Sequence, residues 1–250
     1  MIMLVDTHFH LDLMQNMQSL INQFRGGDVG IIAVGTTPLA YKQELKFVEG
    51  IDNICVGLGF HPQLVEQREH EIDLFLQNLK CAKYIGEVGL DFNKSYVVTK
   101  TQQISCFRRI ADECANEGEK VLSIHSVKAI STVIDILKES GTFQNCTCIF
   151  HWFTGTALER KSAIENGAYF SINPKMLKTK SGQETIRNIP SNRILIETDA
   201  PFTMKFNSVR ELRKELENVA SEISLIRGEN VLSQIEENSM HLFHPDKKGS

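Results

Sequence analysis

The segment Asp6-Thr7-His8-Phe9-His10 places two imidazoles two residues apart. In extended chain, residues i and i+2 point the same way. His8 and His10 can therefore offer two nitrogens to one ion, and imidazole suits zinc and other borderline divalent metals. Glu87 is a carboxylate inside the apolar run Tyr84-Ile85-Gly86-Glu87-Val88. Burying it unpaired is expensive, so it calls for a cation, and its two oxygens can serve two ions. Glu197 and Asp199 pose the same problem after Ile194-Leu195-Ile196; alternation puts them on one face, with Asp199 nearer the strand end. His125 and His151 each close a further apolar run. Asp91 either joins these groups or orients a neighbouring loop or histidine. His8, His10, Glu87, His125, His151 and Asp199 suffice for two divalent metal ions, Mg²⁺, Mn²⁺ or Zn²⁺, that share Glu87. Two ions roughly 3.5–4 Å apart clamp the attacking and leaving oxygens of a displacement and acidify a bound water. Histidines and carboxylates without cysteine point to hydrolysis rather than to redox chemistry or a structural zinc.

These side chains need a scaffold that delivers many strand ends to one place. Short apolar runs alternate along the chain with longer segments of helical periodicity. The expected strands are Ile2–Asp6, Val29–Gly35, Asn53–Leu58, Tyr84–Val88, Lys120–His125, Thr147–His151, Ala168–Ile172 and Arg193–Glu197. The expected helices between them are Leu13–Phe24, Leu39–Val48, Leu64–Leu79, Thr101–Glu117, Lys128–Ser140, Thr156–Asn166 and a short Gln183–Ile189. Eight β units in a chain of this length predict a single α/β domain, a (β/α)8 TIM barrel over residues 1–243. Two extra C-terminal helices, Val209–Arg227 and Asn230–Leu242, pack outside it, and residues 244–250 form a polar tail. His8, His10, His61, His125 and His151 all fall at strand ends, and the C-terminal face of a parallel barrel is where catalytic groups converge. His70, His241 and His244 lie on helices or the tail and read as solvated or capping residues.

The formal charge of −4 excludes an electrostatic sponge for nucleic acid and leaves room only for a local basic groove. A content of 42% hydrophobic and 23% charged residues excludes wholesale disorder. No apolar run approaches the roughly 18 residues that span a bilayer, so no membrane association is expected. The first residues turn acidic at Asp6 without a basic leader, which reads as a cytoplasmic protein. The six cysteines contain no CxxC and are read as free thiols of a reducing compartment.

Together the motifs resemble the TatD-like metal-dependent deoxyribonucleases. The matching segments are Asp6–Asp12, Gly59-Phe60-His61-Pro62, Gly86–Phe92, Ile124-His125-Ser126, His151-Trp152-Phe153-Thr154-Gly155, Glu197-Thr198-Asp199-Ala200-Pro201 and Asn238–Phe243. They come in the family's order across nearly the whole chain. The resemblance implies a TIM barrel and phosphodiester hydrolysis, with Glu87 and Asp199 in the catalytic machinery. It implies His8, His10, Glu87 and Asp199 around one metal and Glu87, His125 and His151 around the other. It makes His61 a catalytic, substrate-side histidine near a phosphate. Segments 58–64, 121–126 and 151–155 are similar to the QatD branch of the Qat anti-phage defence systems, which implies antiviral defence and Qat-system protein partners. The chain departs from the family after His125-Ser126, where Val127-Lys128 stands in place of an Arg. It departs again after Pro201, where Phe202–Asn207 replaces a longer loop. That shortening bears on DNA contacts.

Lys175, Lys178 and Lys180 occupy an expected loop after strand seven, where they either hold phosphates of a nucleic-acid strand or are simply solvated. Trp152, Phe153, Phe202 and Phe206 lie beside strand ends and could stack on bases of single-stranded DNA. Core packing is the better reading for Phe153, while Trp152 and Phe202 stay open. Three functions compete: a two-metal nuclease acting on single-stranded DNA ends, another metal-dependent hydrolase of the same superfamily acting on small phosphoesters or amides, and a defence-complex subunit active only with a partner. Some superfamily relatives bridge their metals through a modified Lys at the end of strand four. Here Glu87 stands there, which favours the nuclease.

Overall fold

The structure is a computed structural model that describes residues 3–243. The tail 244–250 with His244, and Ile2 of the expected first strand, lie outside the described residues. The strands are β1 (Leu4–Phe9), β2 (Val29–Val34), β3 (Ile54–Phe60), β4 (Tyr84–Asp91), β5 (Val121–Val127), β6 (Thr147–His151), β7 (Tyr169–Ile172) and β8 (Ile194–Ile196). The helices are α1 (Met17–Phe24), α2 (Pro38–Phe47), α3 (Val65–Arg68), α4 (Ile72–Leu79), α5 (Lys100–Glu117), α6 (Ile130–Glu139), α7 (Thr142–Asn145), α8 (Ala157–Glu165), α9 (Pro174–Leu177), α10 (Lys180–Asn188), α11 (Val209–Arg227) and α12 (Leu232–Phe243). Sheet order follows chain order from β1 to β8, and the fold is a (β/α)8 barrel. Among the described residues, no helix is long and apolar enough to cross a membrane.

Contacts divide the chain into two compact units. The first takes residues up to Ala33, Lys46–Cys55 and everything from Phe170 on; the second takes Val34–Leu45 and Val56–Tyr169. In the first, β1 pairs in parallel with β2, Leu4 opposite Val29, and β7 with β8, Phe170 opposite Ile194. Every residue of β1 and β2 is buried. Burial on both faces is why β2 reads as an unbroken apolar run, while β1 turns polar at Asp6-Thr7-His8, where it enters the site. Helix α11 is bounded by the Ser208 side chain, which accepts from Glu211 N–H, and by Gly228 in the left-handed region. Its Leu212, Leu216, Val219 and Ile223 are buried, as their spacing predicts. From α12, the Asn238 side-chain amide donates to the carbonyls of Ser191 and Ile194, pinning the entry to β8.

In the second unit β4 pairs with β3 and β5, and β5 with β6, all in parallel. Two glycines permit close approach. A Cβ on Gly59 would meet Gly35 O at 1.8 Å, and one on Gly89 would meet His125 O at 2.0 Å. The room left at Gly59 lets the Gly35 carbonyl accept the Glu87 N–H at 2.8 Å, which sets the backbone that carries Glu87.

Several expectations need correction. The helix expected over Leu64–Leu79 is α3 and α4 separated by a 3₁₀ turn at Glu69–Glu71. The helix expected from Leu13 begins at Met17, after a 3₁₀ turn at Leu11–Leu13. The lysine-bearing loop is α9 followed by the start of α10: Asn173 accepts from the Lys175 and Met176 N–H groups, and Pro174 takes the first position, where its missing N–H costs nothing. All six cysteines are free. Burial pushes the Cys106 thiol up to about 11, and those of Cys114 and Cys148 well up too, which leaves them unreactive.

Candidate functional site

In the first unit, β1 and the segment after β8 are laced together. Thr7 Oγ1 donates to Ile196 O, Asp199 N–H to His8 O, and His10 N–H to Ala200 O. Asp6 is fully buried, and its carboxylate accepts from His8 N–H, Thr198 N–H and the Thr198 hydroxyl. Burial drives its pKa up to about 8; the bonds from Thr198 and the His8 backbone pull it back in part, and nearby Glu197 pushes it further up. With both chain ends held, His8 Nε2 lies 3.3 Å from His10 Nε2. Asp199 Oδ1 lies 3.7 Å from the first and 3.5 Å from the second. Ligands about 2.0–2.1 Å from a tetrahedral ion sit about 3.3 Å from one another. Two imidazoles and a carboxylate at this spacing fit a divalent cation. His8 and His10 come together, although β1 ends at Phe9 and His10 lies just past it at a φ of −87° and a ψ of 80° rather than in extended strand.

The relation expected between Glu197 and Asp199 does not hold. Strand β8 stops at Ile196, and Asp199 has a φ of 54°, so the two are not neighbours on one strand face. Glu197 instead accepts hydrogen bonds from the Ser171 hydroxyl and the Asn173 side-chain amide, while Asp199 turns to the histidines. A non-glycine residue at positive φ costs energy and tends to mark a functional position. Asp tolerates it better than most side chains.

In the second unit, Glu87 is the hub. Its Oε1 is 2.6 Å from His125 Nδ1 and 3.1 Å from His151 Nε2, and its Oε2 is 3.2 Å from His61 Nε2. His61 Nδ1 accepts the Gln63 backbone N–H, which in the neutral ring leaves the proton on Nε2. His125 Nε2 is 3.0 Å from Asp91 Oδ2. Burial lowers the His125 pKa, but the charge of Glu87 and the bonds that His125 donates to Asp91 and Glu87 outweigh it, and the net shift is upward. Burial likewise raises Asp91, yet hydrogen bonds from His125, Gln63 and the Asn93 backbone win and leave it lowered. Gln63 Nε2 donates to Asp91 Oδ2, and buried Gln103 accepts Asp91 N–H while donating to Asp91 O. A histidine that ligates a metal with one ring nitrogen donates from the other to a carboxylate, and Asp91 is placed to be that outer partner of His125. Here Asp91 takes the Nε2 side and Nδ1 is turned to Glu87. The donor set fits a divalent ion.

The structure thus gathers His8, His10 and Asp199 in one unit and His61, Glu87, His125 and His151 in the other. Trp152, half-buried at a φ of 42°, follows His151 directly. Lys175, Lys178 and Lys180 are exposed on α9, after it, and at the start of α10. Asp6, Gln63 and Gln103 escape sequence reading. Asp6 belongs to the quoted motif, but its role depends on Thr198, and Gln103 sits in a helix whose amphipathic pattern says nothing of Asp91.

Residues 5–244 match the family model described as TatD related DNase. The chain is 29% identical to the uncharacterized metal-dependent hydrolase YabD of Bacillus subtilis, over 96% of this chain and 99% of that protein. It is 26% identical to the 3′-5′ ssDNA/RNA exonuclease TatD of Erwinia tasmaniensis, over 87% and 89%. The crystal structure of the TatD homologue YjjV from Escherichia coli superposes with a TM-score of 0.81 at 18% identity, covering 96% of this chain and 98% of that one.

Proposed function

The chain belongs to the TatD related DNase family of metal-dependent hydrolases, and on that premise we propose that it hydrolyses DNA phosphodiesters, acting at single-stranded ends. The observation that carries the reading is the pair of buried imidazole–carboxylate groups, the first at the donor spacing of a divalent-ion site and the second gathering His125 and His151 within 2.6 and 3.1 Å of Glu87 Oε1. His8, His10 and Asp199 would hold one ion; Glu87, His125 and His151 would hold the other. When bound, such ions polarise phosphoryl oxygens and bring the pKa of water near neutrality. The protein's own contribution is orientation and proton handling. Asp199 accepts the proton released as water oxygen bonds to phosphorus; the bond from phosphorus to the leaving oxygen breaks, and that oxygen takes up a proton from solvent. His61, its proton kept on Nε2 by the Gln63 N–H, donates to a phosphate oxygen. Burial of Asp199, with His61 half-buried, limits competing water and strengthens these contacts.

The single-strand preference is supported by the exonuclease activity in the name of the Erwinia relative. The likeness of segments 58–64, 121–126 and 151–155 to the QatD branch supports a role in anti-phage defence beside Qat-system partners. Digestion of end-labelled single- and double-stranded DNA with added Mg²⁺, Mn²⁺ or Zn²⁺ tests the activity, with Asp199→Asn as the control. Loss of cleavage in the control and preference for single-stranded ends are expected. Turnover of small phosphoesters or amides without DNA cleavage would refute the reading. Plaque counts with and without the gene in its native neighbourhood test the defence role.

A further inference from the structure

Four aromatic residues flank the strand ends, and the structure separates them. Phe153 is 1% exposed and packs edge-on against Phe150, while Phe206 is 5% exposed and stacks on Phe9. Both belong to the core. Phe202 is 62% exposed. A single exposed apolar side chain is ordinary, but this one is held in an unusual place. Its N–H and that of Thr203 both donate to Asp199 O, and the Thr203 hydroxyl donates to Thr198 O. The turn that carries Phe202 is therefore the turn that carries the candidate ligand Asp199. One edge of the ring is fixed against His10, with centroids 5.1 Å apart and planes at 90°. What remains is an aromatic surface turned to solvent on a rigid support beside two candidate ligands.

The same segment borders a small cleft of about 190 Å³. Leu13, Met14 and Pro201 give it apolar walls, and the exposed Lys205 stands at its edge. The Asn16 side-chain amide donates to Phe206 O and ties the far wall to this segment. An aromatic platform with a cation three residues along is the pair of groups that a nucleotide strand requires: one for the base, one for the phosphate. Base–aromatic stacking tolerates any base, because every base has a π-face. That suits a nuclease without sequence preference.

We propose that Phe202 stacks on a nucleobase of the single-stranded substrate next to the scissile phosphodiester, and that Lys205 neutralises an adjoining phosphate. The assignment rests on the deoxyribonuclease reading and makes the short segment after Pro201 a substrate subsite. The fold does not need the exposed ring, so Phe202→Ala should fold and keep its metal content. Steady-state cleavage of a mixed-sequence single-stranded oligonucleotide should show KM raised on the order of tenfold, with kcat little changed. Phe202→Trp should restore KM, and its emission should be quenched when the oligonucleotide is added. An oligonucleotide with abasic sites at its end should lose affinity for the parent but not for Phe202→Ala. Lys205→Gln should flatten the salt dependence of binding by about 0.7 in the logarithmic slope. If the parent cleaves DNA but Phe202→Ala and base removal leave KM unchanged, the subsite is wrong and the deoxyribonuclease reading survives. If the parent neither binds nor cleaves DNA, both fall together.

Discussion

Gln103 tests how the second donor group is held. It is buried in α5, and its Oε1 accepts Asp91 N–H at 2.8 Å. Its Nε2 donates to Asp91 O at 3.0 Å, Tyr96 O at 2.9 Å and Thr99 Oγ1 at 3.0 Å. Gln103→Leu keeps the volume and removes every one of these bonds. Tyr96 O retains the Thr99 N–H and hydroxyl, so its loss is small. Asp91 N–H loses its acceptor in a buried position, and a buried donor left unmade costs about 1–3 kcal/mol. With the weakened carbonyl contact, the expected destabilisation is about 2–3 kcal/mol in urea unfolding. The second consequence is chemical. Asp91 is the partner of His125 Nε2, and loss of such an outer partner lowers metal affinity about 10- to 100-fold. Competition with a chromophoric chelator reads that directly, without any substrate. A variant within about 0.5 kcal/mol of the parent, with unchanged metal affinity, would refute the idea that Gln103 sets Asp91 and through it His125.

Gly59→Ala places a methyl group 1.8 Å from a backbone oxygen. It should cost several kcal/mol or prevent folding, on the order of an overpacked core at its worst, as seen by soluble yield and thermal unfolding. Thr156 and Glu159 form a reciprocal capping box at α8, and Glu159 also accepts from Ser131; Glu159→Ala should cost about 1 kcal/mol at neutral pH. Burial raises the Glu159 pKa, but its hydrogen bonds outweigh that and leave it below the ordinary value of 4.5. The ionic part of the contribution is therefore present above 4.5 and lost as pH falls through the lowered value, so parent and variant should converge in acid. Replacing Lys175, Lys178 and Lys180 together by Gln should weaken DNA binding and reduce its salt slope by about 0.7 per phosphate contact, with metal content unchanged. Identical salt series for parent and variant would show that these lysines are only solvated.

Long amphipathic elements were legible because their ends carry their own chemistry. Helix α11 runs over the expected Val209–Arg227, bounded by a serine cap and a glycine. The break at Glu69–Glu71 was not, since Leu64, Phe75 and Leu79 keep helical spacing through it and periodicity cannot register a tightened turn. The helix at Pro174 did announce itself, in Asn173 followed by proline, but three lysines in six residues read as a loop. At the site, the pairing of His8 and His10 was suggested by their two-residue spacing, although His10 lies just past the end of β1. Asp199 follows from its chemistry, yet its orientation comes from a backbone turn that alternation does not describe. Asp6, Gln63 and Gln103 act through partners up to 192 residues away, and no local pattern encodes such pairings.

That separation also sets an order of assembly. Residues 61 to 151 contain every member of the Glu87 group, so a growing chain holds all of its donors once His151 has left the ribosome. The His8 group waits much longer. His8 and His10 are made well before their partner Asp199, and Thr198, whose contacts hold Asp6, follows Asp6 by 192 residues. Throughout that interval two adjacent imidazoles are presented without the carboxylate that completes them. Contacts at such separation form late, because loop closure must precede any gain from them. A truncated or stalled chain would therefore carry a complete set of donors around Glu87 and lack Asp199. On the deoxyribonuclease reading, such incomplete chains would lack one of the two donor groups that the reaction needs.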